Sequence, residues 1–266
     1  MKTAGSPDLP AVIAVLRAAG CVFAEEEAGL MVSAASTPAA LADMIDRRAS
    51  GAPLEHVLGW AQFCGLRLAV DAGVFVPRRR TEFLVGQAAA LARLGGPRPV
   101  VVDLCCGSGA VGAALISTLE RIQLYAADVD PAAVRCARRN LTRTTAVVCE
   151  GDLYEALPAA LRGHVDVLVA NVPYVPTDEI ALLPTEARLH EPLVALDGGA
   201  DGLDVARRVI AGARAWLMPG GHLLFETSRA QAPYAAEAVE RAGLTARIEV
   251  SEELNAAVVI GTSSGG

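Results

Sequence analysis

The chain has 266 residues, of which 53% are apolar and 20% are charged, and its formal net charge at pH 7 is −7. This length suffices for one large α/β domain, alone or with a smaller accessory domain. Because charged residues are spread along the sequence, no stretch is long and apolar enough to span a bilayer, and the negative charge disfavours nucleic acid as a partner.

The N-terminal sequence MKTAGSPDLP has no charged segment followed by a long apolar run. We therefore expect no secretory signal and a cytoplasmic location. The six cysteines form no CxxC pair, and the four histidines show neither HxH nor HExxH spacing. Reduced thiols and the absence of a metal site are expected from these patterns.

Residues 1–58 are expected to form a small helical domain. Apolar positions recur at helical spacing in LPAVIAVLRAAG, a second helix is predicted over residues 25–34, and a third follows the capping Thr37. The pattern then changes to alternating apolar and polar positions in WAQFCGLRLAVDAGVFVP, which predicts a β-hairpin linker over residues 59–80.

Strand and helix patterns alternate through residues 81–266. The first five predicted strands are VVVDL, QLYAADV, AVVCEGD, VDVLVAN and HLLFET. Such alternation predicts a parallel α/β sheet of the Rossmann-like kind, with helices on both faces. A helix over residues 204–217 is expected to stop at the Pro-Gly-Gly before HLLFET. The last two strands, LTARIEV and AAVVIGT, indicate an antiparallel edge hairpin.

Gly107-Ser108-Gly109 follows the strand VVVDL, opens a helix, and with Gly112 satisfies the loose GxGxxG pattern. Glycine suits this position because the backbone must turn sharply and a ligand can approach its amides without a Cβ in the way. The pattern alone is weak, since a strand-to-helix turn without a ligand can carry the same residues.

Acidic residues follow the neighbouring strands. Asp103 lies just before the loop, and Asp128 ends the next strand, where an acid can bind the ribose of S-adenosylmethionine or of a dinucleotide. Asp130 alone can cap the following helix. Asp152 can accept from an adenine amine and Leu153 can pack on the base, although a surface turn would use the same pair.

The tetrad Asn171-Val172-Pro173-Tyr174 ends the fourth strand at the switch point of the sheet, where ligands of open α/β sheets bind. An amide nitrogen is a poor nucleophile and must be held in line with the methyl donor. The Asn171 side-chain oxygen and the Val172 carbonyl can each accept one N–H, and the Tyr174 ring can stack on the flat acceptor group. A proline-containing strand end with Tyr174 in the core is the alternative.

These motifs together resemble the protein-(glutamine-N5) methyltransferases that modify peptide-chain release factors, the HemK or PrmC family. DLCCGSGAVG resembles the family's DLGTGSGAIA, and AADVDPAAVRCARRN and GDLYEAL resemble its second-strand and third-strand signatures. VANVPYVP is similar to SNPPYI, and HEPLVALDGGADGL is similar to EPxxALxGGxDGL. The resemblance covers most of the chain.

The resemblance implies a helical N-terminal domain for substrate recognition and a seven-stranded catalytic domain whose last strand is antiparallel. It implies S-adenosylmethionine as the cofactor and a protein partner with an exposed glutamine, such as a release factor, whose amide binds at Asn171, Val172, Pro173 and Tyr174. The expected cofactor residues, from the resemblance and the acids above, are Asp103, Cys105, Cys106, Gly107, Ser108, Gly109, Asp128, Asp152, Leu153 and Asn171.

The sequence departs from the family at three places. NPPY becomes NVPY, in which Pro173 still favours an extended Val172. Cys105 and Cys106 replace the first two residues of the family's loop and add bulk near the methionine moiety. PRPETE becomes PRRRTE over residues 77–82, which removes an acid and adds positive charge beside the predicted cleft.

Other functions stay open at this point. The arginines of PRRRTE allow a small-molecule amide, amine or guanidine as the methyl acceptor. DNA adenine presents the same two-donor amine, although the acidic balance of the chain disfavours it. Val172 and the two cysteines allow a cofactor-binding protein without turnover, and GxGxxG alone allows a dinucleotide dehydrogenase.

Overall fold

The computed structural model describes residues 9–264, so most of the segment assessed above for a secretory signal lies outside the described residues. The chain starts with four helices: α1 Leu9–Ala18, α2 Ala24–Ala34, α3 Pro38–Ala49 and α4 Leu54–Leu58. The three predicted helices are confirmed, and the Thr37 hydroxyl accepts from the Ala40 N–H as an N-cap. Helix α4 was not predicted, because five residues are too few to show a helical period.

Arg48 links the helical region to the rest of the chain. Its side chain is only 9% exposed, and its Nε donates to Oε2 of Glu27 at 2.6 Å. Its Nη1 donates to Oε1 of Glu186 at 2.5 Å. Glu186 lies in the helix Thr185–His190, which follows the tetrad in the sequence. Because a buried guanidinium without partners is costly, these two carboxylates hold α2, α3 and the distant helix together.

The predicted hairpin is confirmed as strands β1 Trp60–Phe63 and β2 Leu66–Ala69, which pair in antiparallel register. Cys64 and Gly65 form the turn with φ values of 47° and 76°, as two-residue hairpin turns require. The side chain of Asn140 binds both the N–H and the carbonyl of Ala69, at 2.8 and 2.9 Å, and also the carbonyl of Ser108 at 2.8 Å. Asn140 therefore fixes the hairpin against the glycine loop.

Replacing Asn140 with alanine is expected to lower the free energy of unfolding by about 2 to 4 kcal/mol, because three hydrogen bonds are lost and their backbone partners stay partly buried. Urea unfolding followed by circular dichroism measures this change. Arg139→Ala, one residue earlier, is the matched control: it removes the half-exposed ion pair with Asp71, which is worth no more than about 1 kcal/mol, and a long contact of 3.7 Å to the Cys136 sulfur. Equal losses in the two variants would contradict the assigned role of Asn140.

The chain from Val100 onward contains one seven-stranded sheet, which confirms the predicted fold. Its strands are β3 Val100–Leu104, β4 Gln123–Asp128, β5 Val147–Glu150, β6 Val165–Ala170, β7 Leu217–Thr227, β8 Leu244–Ser251 and β9 Ala256–Ser263. Their spatial order is β5-β4-β3-β6-β7-β9-β8, with parallel pairing from β5 to β7 and antiparallel pairing of β7 with β9 and of β9 with β8. The predicted C-terminal hairpin is thus present at one edge.

Strand β7 begins earlier than predicted. Leu217 already pairs with Val165, and pairing resumes at His222 opposite Val167. The Pro-Gly-Gly segment between them is therefore an irregularity within the strand and not a loop before it. A bulge of this kind accommodates proline and glycine inside a sheet.

Helices cover both faces of the sheet. They are α5 Thr81–Ala92, α6 Ala110–Thr118, α7 Pro131–Leu141, α8 Thr185–His190, α9 Asp204–Trp216 and α10 Ala232–Arg241. Buried residues of α5, α6 and α7 form one apolar core with the sheet, and those of α9 and α10 form the other. Within residues 9–264 no helix is long and apolar enough to cross a membrane. The carboxyl ends of β3, β4, β5 and β6 share one edge, where the predicted site residues lie.

Candidate active site

The loop from β3 to α6 turns through three residues with positive φ: Cys105 at 54°, Gly107 at 54° and Gly109 at 76°. A Cβ built on Gly109 would lie 3.1 Å from the Cβ of Ala137, so glycine permits close packing against α7. A Cβ built on Gly107 meets no atom within 4 Å. Gly107 instead lines a cavity, where its bare backbone is open to a ligand.

Asp128, at the end of β4, holds this loop. Its Oδ2 accepts the Gly107 N–H at 2.8 Å, and its Oδ1 accepts the Asp130 N–H at 2.9 Å. Asp130 caps α7 by accepting from Ala132 at 2.8 Å. The helix cap is therefore supplied by Asp130, which leaves the Asp128 carboxylate to the loop and to the cavity that it lines.

Asp103 is fully buried beneath the loop and also borders the cavity. Its Oδ2 accepts the Gly112 N–H at 2.9 Å, whereas its Oδ1 has no hydrogen-bond partner within residues 9–264. Burial raises the pKa of Asp103 to about 7, partly offset by the Gly112 N–H and reinforced by the charge of Asp128. An acceptor oxygen without a donor fits a cationic ligand group here.

Neither thiol of the loop is set up as a nucleophile. Burial raises the pKa of Cys105, and the neighbouring carboxylates of Asp128 and Asp103 raise it further. Burial likewise raises the pKa of Cys106 well above its usual range. Because both thiols stay protonated at neutral pH, they act as apolar lining of the cavity.

The first cavity brings together all the sequence-predicted cofactor residues except Gly109, which packs against α7 instead. Asp152 lies at its edge and pairs with Arg208 of α9, whose Nη2 is 2.6 Å from Oδ2. Leu153 is buried with φ of 47°. Sequence analysis missed Arg208 and Phe75, which also line this cavity, because neither stands within a recognisable motif.

A second cavity adjoins the first. Asn171, Phe75 and Ala195 line both cavities, so the two meet at these residues. Val172 and Tyr174 line the second cavity, whereas Pro173 lines the first. Within the described chain the Asn171 side chain makes no hydrogen bond and the Val172 carbonyl accepts none. Neither oxygen is engaged by these residues; Asn171 lies where the cavities join, and Val172 borders the second cavity beside it.

Hydrogen bonds fix both the side chain and the backbone of Tyr174. Its hydroxyl donates to Oε1 of Glu226 at 2.9 Å, and its carbonyl accepts from Nε2 of Gln231 at 2.9 Å. Burial raises the pKa of Tyr174, and the carboxylate of Glu226 adds to the shift. The hydroxyl therefore stays protonated as a donor. The sequence did not indicate Glu226 or Gln231 as partners of the tetrad.

The described residues 9–264 contain no group of three or more His, Cys, Asp or Glu side chains arranged to hold a metal ion. The site consists of a cavity bordered by a glycine loop and acids, which joins a second cavity at Asn171. Polar side chains that can hold a ligand line both cavities: Asp103 and Asp128 in the first, and Tyr174 in the second. Such a pair of cavities suits a transfer between two bound molecules.

Comparison with known proteins agrees with this geometry. Residues 66–190 match the methyltransferase small domain family. A release factor glutamine methyltransferase of Streptomyces coelicolor is 39% identical over 190 residues, which cover 71% of this chain and 67% of the relative. The corresponding protein of Deinococcus radiodurans is 39% identical over 209 residues, covering 77% of this chain and 73% of the relative.

A relative with a different named substrate also matches. It is the 4-amino-L-phenylalanine/4-methylamino-L-phenylalanine methyltransferase of Streptomyces pristinaespiralis, 37% identical over 186 residues, which cover 68% of this chain and 63% of the relative. Among solved structures, a methyltransferase of Pyrococcus furiosus shares the fold with a TM-score of 0.56 and 16% identity, covering 75% of this chain and 90% of the other.

These findings confirm the predicted S-adenosylmethionine-dependent methyltransferase and rule against the dinucleotide dehydrogenase. The first cavity fits this cofactor, since it offers an unpartnered carboxylate oxygen of Asp103 and an open backbone at Gly107. From the identity and coverage of its relatives, the chain belongs to the release factor glutamine methyltransferase family.

Proposed function

We propose that the chain methylates the side-chain amide nitrogen of a glutamine in a peptide-chain release factor. The observation that carries this proposal is the position of Asn171, whose unengaged side chain lies where the two cavities meet. The names of the relatives support the choice of acceptor. Residues 1–58 are proposed as the substrate-recognition domain, joined by the linker 59–80 to the catalytic domain 81–266.

The chain's own residues would hold both partners. When bound, S-adenosylmethionine supplies an electrophilic methyl group. Asp103 would bind its ammonium group and Asp128 its ribose hydroxyls, and Leu153 would pack on its adenine. These roles use groups that line the first cavity. The roles of Cys105 and Cys106 are limited to apolar contact, because both thiols remain protonated.

In the second cavity, the target NH2 group would donate one hydrogen to the Asn171 side-chain oxygen and the other to the Val172 carbonyl. This arrangement points the nitrogen lone pair toward the first cavity. The Tyr174 ring would support the flat amide group. The amide nitrogen becomes acidic only as its new bond forms, so its proton can leave to water afterwards without a strong base. Catalysis is thus mainly positioning.

Cofactor affinity is expected to rise about five- to tenfold between pH 6 and pH 7.5. The raised pKa of Asp103, about 7, means that the free protein holds a proton there below neutral pH, whereas the ammonium group binds the ionised form. For the same reason this carboxyl group's contribution to the free energy of unfolding falls as pH rises from about 4 to 7. Calorimetry across this pH range measures the affinity.

Asp103→Asn is the control for this pH dependence. The amide keeps an acceptor for the Gly112 N–H, so the loop is retained while the titration is removed. We expect weaker cofactor binding that no longer changes with pH. A wild-type affinity that is flat between pH 6 and pH 7.5 would refute the assigned contact.

The proposed function is tested with purified release factor, methyl-labelled S-adenosylmethionine and the full chain. The expected result is one added methyl group, assigned by peptide mass spectrometry to a glutamine side chain. A release factor with that glutamine replaced by alanine should stay unlabelled. If the wild-type chain binds the cofactor normally and leaves release factors unlabelled, the proposal is wrong.

A small-molecule amine is the second candidate acceptor. It is favoured by the relative named for 4-amino-L-phenylalanine and by the arginines Arg78 and Arg80, which line the second cavity. An arylamine nitrogen also offers two N–H donors to Asn171 and Val172. Incubation with 4-amino-L-phenylalanine and analysis of the small-molecule fraction tests this candidate, and methyl transfer confined to protein would exclude it.

A further inference from the structure

Arg80 lies at the wall of the second cavity, between a buried carboxylate and an aromatic ring. Its Nε donates to Oε1 of Glu226 at 2.9 Å, and its guanidinium carbon lies 5.5 Å from the centroid of the Tyr174 ring. The Tyr174 hydroxyl donates to the same oxygen at 2.9 Å. The Glu226 side chain is only 2% exposed, so its carboxylate is shielded from water and its charge-assisted bond holds Arg80 in place.

Most hydrogen-bond donors of Arg80 are left unused. A guanidinium carries donors on Nε and on both Nη atoms, and within residues 9–264 only the Nε of Arg80 has an acceptor. The side chain is 44% exposed and lines the second cavity. Arg78, on the same wall, also makes one side-chain hydrogen bond, from Nη2 to the buried Glu191 at 2.5 Å, but its side chain is less exposed, at 33%.

The sequence at this position departs from the family pattern. PRPETE aligned on residues 77–82 places an acid at position 80, where this chain has Arg80. An acid there would face the buried carboxylate of Glu226, whereas arginine pairs with it. Relative to the family pattern, Arg80 therefore replaces a negative charge with a positive one at the wall of the second cavity. Tyr174 keeps its hydrogen bond to Glu226.

We propose that Arg80 is a specificity-determining residue whose Nη groups donate to an oxygen of the acceptor, beside the nitrogen that is methylated. This inference deepens the proposed function and rests on it. The oxygen is a carbonyl or carboxylate, since both accept from a planar guanidinium. It comes either from the peptide backbone next to a target glutamine or from the carboxylate of a free amino acid.

The test compares Arg80→Ala with Arg79→Ala in steady-state kinetics. Arg79 is the matched control because it is exposed, carries the same charge and lines neither cavity. The acceptors are purified release factor and 4-amino-L-phenylalanine. For the acceptor that the wild type methylates, Arg80→Ala should raise KM about 10- to 100-fold, with kcat changed far less. Arg80→Lys should recover part of the loss.

Two further measurements distinguish a direct contact of Arg80 with the acceptor from an indirect effect through the Tyr174 ring. Calorimetric affinity for S-adenosylmethionine should be the same in Arg80→Ala and the wild type, because Arg80 does not line the first cavity. Tyr174→Phe keeps the ring but removes the hydroxyl bond to Glu226. If Arg80 acted only by holding that ring, the Tyr174→Phe and Arg80→Ala changes in KM would match, which would overturn the proposal.

The two acceptors distinguish the source of the oxygen. A KM effect on release factor assigns it to the peptide backbone. An effect on 4-amino-L-phenylalanine that disappears for its carboxamide assigns it to the carboxylate. An unchanged KM in Arg80→Ala, with the wild type active, overturns this inference and leaves the proposed function standing. A wild type inactive on both acceptors overturns the proposed function itself and this inference with it.

Discussion

Replacing Asn171 with alanine is expected to lower kcat for methyl transfer by about 100- to 1,000-fold while the fold is retained. The side chain lies at the junction of the two cavities and makes no hydrogen bond within residues 9–264, so its loss breaks no internal contact of that kind. In the proposed arrangement, the acceptor nitrogen would lose one of its two orienting oxygens. Single-turnover kinetics with labelled cofactor measures the effect on the chemical step.

Thermal unfolding and cofactor calorimetry serve as controls for Asn171→Ala. We expect a nearly unchanged midpoint of unfolding, because Asn171 is only partly buried. Cofactor affinity should fall much less than the rate, since the other residues of the first cavity remain. A fully active alanine variant would contradict the assigned role, as would a loss of rate that is matched by the loss of cofactor binding.

Replacing Asp128 with alanine is expected to weaken S-adenosylmethionine binding by about 100-fold or more. Two backbone donors, the N–H groups of Gly107 and Asp130, lose their carboxylate acceptor at 2.8 and 2.9 Å. Hydrogen bonds to charged groups are each worth about 1.5 to 3 kcal/mol. The proposed contact with the ribose is lost at the same time. Calorimetric titration gives the affinity directly.

Asp71→Ala is the matched control for Asp128→Ala. It also removes one acid, but Asp71 forms a half-exposed ion pair with Arg139 and does not line the first cavity. Its cofactor affinity should equal that of the wild type. If Asp128→Ala binds the cofactor as tightly as this control, Asp128 belongs to the loop structure alone and not to the binding site.

Sequence reasoning predicted most of the fold because local signals agree with the tertiary structure. Thr37 and Asp130 cap helices where their positions predicted it. Helix α4 was not predicted because its five residues are too few to show a helical repeat of apolar residues. The early start of β7 was not predicted for another reason. Proline and two glycines are a stop signal in sequence, and only the pairing of Leu217 with Val165 shows that the strand has already begun.

The candidate site was predicted only as far as its residues lie within motifs. Asn171 and Asp128 end strands, so the sheet brings them to one edge. Their supports come from distant parts of the chain: Arg208 is 56 residues from Asp152, and Glu226 is 52 residues from Tyr174. A single sequence gives no signal for such long-range pairs, so these residues were found only in three dimensions.

Residues around the N-terminal helices line only one of the two cavities. Pro53 and Glu55, at the start of α4, line the second cavity, and Arg48 of α3 binds Glu186, which lines the same cavity. None of these residues lines the first cavity. Under the proposed function, exchange of the N-terminal helices between relatives would change the wall of the second cavity and leave the first cavity unaltered. Acceptor selectivity would then diverge independently of cofactor use.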